Sequence, residues 1–194
     1  MKNDKYGFTG KKENGLKQII ALKNLGNVSA GTLGGFIGKE ENLSDTGNAW
    51  VYDNARVSGN ARVYGNARVS DNARVYDNAW VSDNARVSGN ARVSDNAWVS
   101  DNARVSNNAL VSGNALVSGK AWVSGIKRSD GHTFCFVSCS DGSHRVIAGC
   151  RYFLMSEAKI HWTETRGGTA LGEETLAILD ALEALSKVKP GGCV

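Results

Sequence analysis

A strict period of six constrains this chain more than any other feature. Alanine recurs every sixth residue from Ala49 to Ala121, and a valine stands two residues after each, from Val51 to Val123. Asparagine precedes each alanine from Asn48 to Asn114, and Lys120 takes that place once. The unit Asn-Ala-x-Val-x-(Asp/Gly/Asn) therefore runs thirteen times without an insertion. A helix cannot use this pattern, because a six-residue step carries each alanine to a new side of the cylinder and leaves no apolar stripe. A short strand followed by a tight corner can. In Ala49-Trp50-Val51 the first and third side chains share a face and the middle one points away. The corner residues are Asp, Gly and Asn, the types that tolerate left-handed backbone angles.

One such unit cannot bury its own apolar face, so coils must stack. Three units per coil give a triangular prism with Ala and Val inside, and the same face recurs every 18 residues. The predicted fold class is an all-β solenoid over residues 48–124, with an N-terminal cap (1–47) and a small α+β C-terminal domain of a hairpin plus two helices (125–194).

The 18-residue rule sorts the outward residues into three columns. One carries Trp50, Arg68, Arg86, Arg104 and Trp122; the second Arg56, Arg74, Arg92 and Leu110; the third Arg62, Trp80, Trp98 and Leu116. Two roles compete for these columns. Arginines beside the corner aspartates are expected to form surface ion-pair ladders, which contribute little each. Alternatively, the arginines and the apolar run of Trp80, Trp98 and Leu116 form an interface, since a monomer rarely exposes such a stripe. Tyr52, Tyr64 and Tyr76 fall on different prism edges and make no common platform for stacking bases.

Charge points the same way. Residues 1–47 carry seven basic and five acidic groups, 48–124 eight and six, and 125–194 eight and eight, which gives the net +4 (23 − 19). No block of one sign exists, and nucleic acid is not an expected partner. No apolar run approaches the length of a membrane span, and the polar start shows no secretory core, so a cytoplasmic protein is expected. The four cysteines then read as free thiols. Cys135 and Cys139 have the spacing of a metal half-site, but no matching Cys/His pair follows, and no metal is expected.

Hexads such as Val51-Tyr-Asp-Asn-Ala55-Arg resemble the hexapeptide repeats of left-handed parallel β-helices, found in acyltransferases and carbonic anhydrases. The near-perfect Asn-Ala-Arg-Val version is similar to acyltransferase-like proteins of enterobacteria and their phages. That resemblance implies the left hand of the coil and a trimeric assembly. It implies little about activity, because the fold hosts many roles. Acyltransferases of the superfamily place a catalytic histidine on or near the coils, often beside a protruding loop, and the anhydrases take histidine ligands from neighbouring coils. The repeats here contain neither a histidine nor an interrupting loop.

Outside the repeats, Leu16–Leu22 reads as a strand, with Leu25–Val28 and Leu33–Ile37 following. Asn42 and Leu43 fall one hexad before Asn48 and Ala49, where an irregular coil is expected to begin. The Gly-Thr-Leu-Gly-Gly run lacks the ending of a phosphate loop. Past Val123, Thr133–Ser138 and His144–Ala148 read as a hairpin about Cys139–Ser143. A short helix is expected over Ser156–Trp162, beginning near Leu154. A second is expected within 169–185, burying Ile178, Ala181, Leu182 and Leu185, with Leu179 flanking and Leu176 opposite. Lys187, Lys189 and Pro190 close it.

All three histidines, His132, His144 and His161, lie in this last region. His161 and Glu164 are the catalytic candidates, on the expectation that Glu164 orients the imidazole, with Arg145 and Arg151 nearby. The expected function is a non-catalytic binding or interaction protein on an oligomeric scaffold. It is expected to be phage-derived and to act on a host protein or a small anionic ligand, without a cofactor. An acyltransferase using acetyl-coenzyme A and a purely structural protein are the alternatives.

Overall fold

In the computed structural model, residues 3–138, 144–148 and 151–187 are described. The repeats build a parallel β-solenoid with three faces, in the register the 18-residue rule requires. The first face runs through β4 (Trp50–Val51), β7 (Arg68–Val69), β10 (Arg86–Val87), β13 (Arg104–Asn107) and β16 (Trp122–Lys127). The second runs through β5 (Arg56–Val57), β8 (Arg74–Val75), β11 (Arg92–Val93) and β14 (Leu110–Val111). The third comprises β6 (Arg62–Val63), β9 (Trp80–Val81), β12 (Trp98–Val99) and β15 (Leu116–Val117). Most paired spans are two residues, shorter than the three expected. Amides on either side extend the ladder: Arg68 donates to the Ala85 carbonyl and Ser70 to that of Val87, both at 2.9 Å.

Ala and Val from the hexads fill the interior, and almost all are fully buried. The corner aspartates Asp53, Asp71, Asp77, Asp83, Asp95 and Asp101 sit at φ between 50° and 59°, in the left-handed region. Their carboxylates serve the backbone. Asp71 accepts from the amide of Gly89 at 2.9 Å, Asp95 from Gly113 at 2.8 Å and Asp101 from Gly119 at 2.9 Å. The asparagines form a second ladder that the sequence reading did not anticipate. Side-chain amides bond from Asn48 to Asn66 to Asn84, and from Asn60 through Asn78 and Asn96 to Asn114. An amide carries both donor and acceptor, so an identical residue 18 positions on always completes the bond.

Antiparallel strands close both ends. At the start, β1 (Tyr6–Glu13), β2 (Leu16–Ala21) and β3 (Leu33–Ile37) extend the second face through β5. The β1 strand was missed in the sequence, because its polar run shows no alternation and its pairing with β2 is bulged. Phe36 pairs with Arg56 and Leu43 with Val63, an offset of 20, whereas Trp50 pairs with Arg68, an offset of 18. Two extra residues therefore lie between Leu43 and Trp50, and Leu43 takes a valine slot instead of the alanine slot expected from its spacing. Lys5 and Tyr6 hold this irregular coil. The Lys5 ammonium donates to the carbonyl of Ser44 at 2.7 Å, and the Tyr6 hydroxyl lies 3.1 Å from that of Leu43. Burial lowers the Lys5 pKa to about 8.

At the far end, β17 (Thr133–Ser138), β18 (His144–Ala148) and β19 (Arg151–Leu154) continue the first face beyond β16. This sheet has two apolar sides, as strand alternation allows. Cys135, Val137 and Ile147 close the solenoid core, while Phe134, Phe136 and Val146 meet the helices. The expected hairpin thus has a third strand, and the turn at 139–143 lies outside the described residues. Helix α1 spans Met155–Arg166, longer than expected, and α2 spans Ala170–Lys187. The buried face of α2 is Thr175, Ile178, Leu179 and Leu182, and Ala181 is exposed. Leu179, read as flanking, lies at the centre of that face because the helix packs against both the sheet and α1. The side chains of Leu185 and Lys187, and residues 188–194, fall outside the described residues.

Candidate functional site

The register places Arg62, Trp80, Trp98 and Leu116 in one column on the third face. Trp80 is 39% exposed, Trp98 44% and Leu116 61%, an unusual exposure for such large apolar groups. The Trp80 and Trp98 rings tilt against each other with centroids 5.7 Å apart. The Arg62 guanidinium lies 5.8 Å from the Trp80 ring centroid, and the Trp98 indole N–H donates to the Ser82 hydroxyl at 3.4 Å. Tyr64 meets Trp80 edge-on at 6.0 Å. It joins the stripe although it is a corner residue, because it stands two positions after Arg62, the register partner of Trp80. Hollows flank the stripe: one of about 410 Å³ beside Glu41, Arg62, Tyr64 and Trp80, and one of about 680 Å³ beside Leu116, Arg151 and Tyr152.

The other columns behave differently. Trp50 is outward in register yet fully buried, because β3 lies over it: a Cβ added at Gly34 would stand 2.9 Å from its ring. Arg56 is half-buried in an ion pair with Glu13 of the cap. Arg74, Arg86, Arg92 and Arg104 are exposed, and Arg68 is half-buried. Among the described residues, no ion pair joins a repeat arginine to a corner aspartate. The expected ion-pair ladders are replaced by the carboxylate-to-amide bonds of the corners, which offer a fixed geometry at no side-chain reach.

The catalytic candidates separate. The Nη1 of Arg151 lies 2.9 Å from the Nε2 of His161, so Arg151, which has only donors, donates to the imidazole. The ring stacks on Phe153 at 5.0 Å. Glu164 is exposed and makes no bond to His161: three residues along α1 the carboxylate does not return to the ring, and Arg151 holds that place. Arg145 lies over Tyr152, and His144 packs on Phe136. His132 and His161 instead share a cavity of about 900 Å³ with Arg128, Asp130, Phe134, Arg151, Trp162 and Arg166. Sequence reasoning grouped His161 with Arg151 but had no signal for His132, which arrives on the β16–β17 loop. Cys135 is buried, which pushes its thiol up to about 11, and its sulfur accepts from the Leu110 amide. Cys139 lies outside the described residues.

Comparison with known proteins bears on the coils. A family described as YdcK beta solenoid repeat matches residues 49–65, 55–69, 61–74, 67–83, 85–101, 97–112 and 109–125. The coils are similar to β-solenoid repeats of the YdcK type. An uncharacterized acetyltransferase YdcK of Escherichia coli (strain K12) is 47% identical over 49 residues, which is 25% of this chain and 15% of that protein. The matched segment thus spans less than a sixth of this curated relative. The similarity to YdcK lies in the scaffold, so the cavity and the aromatic stripe must be read from their own geometry. Among the described residues, no helix is long and apolar enough to cross a membrane.

Proposed function

We propose that this chain is a non-catalytic interaction protein whose solenoid joins copies of itself into a homo-oligomer, a trimer on the resemblance of its fold. The exposed Trp80–Trp98–Leu116 column carries this reading. It lies on the face that gains no further strand at either end, Leu43 adding only a single bridge to Val63, whereas the other two faces continue into the strands of the caps. Arginine, tyrosine and tryptophan are the residue types that anchor protein contacts, and all three meet around Trp80. The sequence resemblance to acyltransferase-like proteins of enterobacteria and their phages supports a host protein as the further partner, met on the same scaffold. Dilution of the protein should shift tryptophan emission to the red as Trp80 and Trp98 leave an apolar contact, and a Trp80→Glu/Trp98→Glu variant should show no such shift. Concentration-independent emission from the parent protein would contradict this reading.

An acetyl-coenzyme A-dependent transfer is the second reading, favoured by the name of the E. coli relative and by the meeting of His132 and His161 on one cavity. Against it, Glu164 does not support His161, and the coils hold no histidine. No acetyl-coenzyme A turnover is expected, and His161→Ala should leave partner binding intact. Transfer that is lost in that variant would put the enzyme reading first.

A further inference from the structure

The cavity at the outer edge of the C-terminal layer differs in kind from the aromatic face. The β16–β17 loop, strands β17 to β19, helix α1 and the first residues of α2 enclose it. Its apolar side is Phe134 and Trp162, in edge-on contact at 5.2 Å, with Ala148 and Leu171 beside them. Its charged lining is Arg128, Arg151 and Arg166 against Asp130 alone, a formal +2 (3 − 1) with both histidines neutral.

The charges are not equally available. Asp130 is used by its own loop: Arg128 grips both of its oxygens, at 3.0 and 2.5 Å, and the His132 Nδ1 lies 3.2 Å from one of them. That grip holds the Asp130 carboxyl well below its ordinary range. Arg128 is itself buried and also donates to Thr175, so it is part of the wall. Arg151 and Arg166 have no carboxylate within ion-pair distance among the described residues. Arg151 gives one N–H group to His161, which fixes its guanidinium and leaves other donors over. Two guanidinium groups without counter-charges, at the rim of a concave apolar floor, are the arrangement that small-molecule sites use to orient an anion.

We propose that this cavity binds a small organic anion, a carboxylate or phosphate ester with a flat apolar body. The anionic group meets Arg151 and Arg166, and the body lies against Phe134 and Trp162. The site needs one chain only and does not depend on self-association.

Benzoate and inorganic phosphate are the probes, with benzamide as the neutral counterpart of benzoate. Each is titrated into isotope-labelled protein while the Arg Nε–H and Trp indole signals are followed. Benzoate should shift the Arg151, Arg166 and Trp162 signals saturably, and benzamide should not. Saturable binding of phosphate without benzoate would also support the anion site and assign the phosphate ester. Arg151→Gln with Arg166→Gln should weaken binding by about tenfold or more, given the value of hydrogen bonds to charged groups. Both side chains are exposed, and an unchanged helical circular dichroism signal confirms the fold. Absence of saturable shifts with both anions, an equal response to benzamide, or full binding in the double variant would overturn the proposal. Repeating the titration on Trp98→Glu separates this result from the self-association reading, since the anion should bind there unchanged.

Discussion

The first and third faces of the prism use the same hexad and the same core, yet they end differently. The first continues through β16 into β17, β18 and β19, and its outermost tryptophan, Trp122, is half-buried. Trp50, at its other end, is fully covered. The third face ends at Arg62 and Leu116 without further strands, and both of its tryptophans are exposed. A tryptophan in an outward slot is therefore cap packing on one face and free surface on the other. The hexad specifies the slot, and the chain outside the hexads decides what covers it.

Changing the register is the strongest way to break this contrast. Deleting residues 86–91 leaves every local hexad intact but brings Trp98 and Leu116 to a face that Trp80 does not share. Thermal stability should change little and self-association should be lost. Deleting residues 86–103, one full coil, returns Leu116 to the place beside Trp80, and weakened association should persist. Equal association in the two deletions, measured by sedimentation, would contradict the three-faced interface.

Core substitution has a smaller effect and applies to all faces alike. Ala85 is fully buried where the walls approach closely, so Ala85→Leu should cost about 1–3 kcal/mol by overpacking, while Ser88→Ala should be nearly neutral. Chemical denaturation distinguishes the two. A neutral Ala85→Leu would show slack in the alanine column.

The N-terminal cap adds a pH dependence through Lys5. Folding lowers the Lys5 pKa from 10.5 to about 8, so the unfolded chain holds more protons between those values. Stability contributed through Lys5 therefore rises with pH across that window and is lowest below it. Tyr6 and Cys135 are shifted upward by burial and act in the opposite direction at high pH. The difference in melting temperature between the parent and Lys5→Met isolates the lysine: it should change between pH 8 and 10.5 and be flat below pH 8. A difference that does not vary with pH would show that Lys5 keeps an ordinary affinity for its proton.

How much of this was legible in the sequence follows from repetition. Each of the three outward columns was readable from spacing alone, because a period of 18 leaves one register. The asparagine ladder and the corner aspartates as amide acceptors were hidden, since residue type gives a corner's backbone angle but not its bonding partner. At the ends no period exists. β1 lacks alternation, and β19, only four residues from Arg151 to Leu154, carries no strand signal of its own beside a helix. His132 reached the cavity through a loop, a placement set by the pairing of β16 with β17. The same pairing adds strands to the first face and none to the third, and so the third face's significance emerges only when both ends are seen.

Light scattering on the chain alone, at concentrations well above those of a weak contact, tests the central claim most directly. The account predicts a mass that is a multiple of 20.6 kDa, and a fall to 20.6 kDa on placing glutamate at Trp80 and Trp98. A parent protein of 20.6 kDa, or an oligomer whose mass is unchanged by those substitutions, would contradict it.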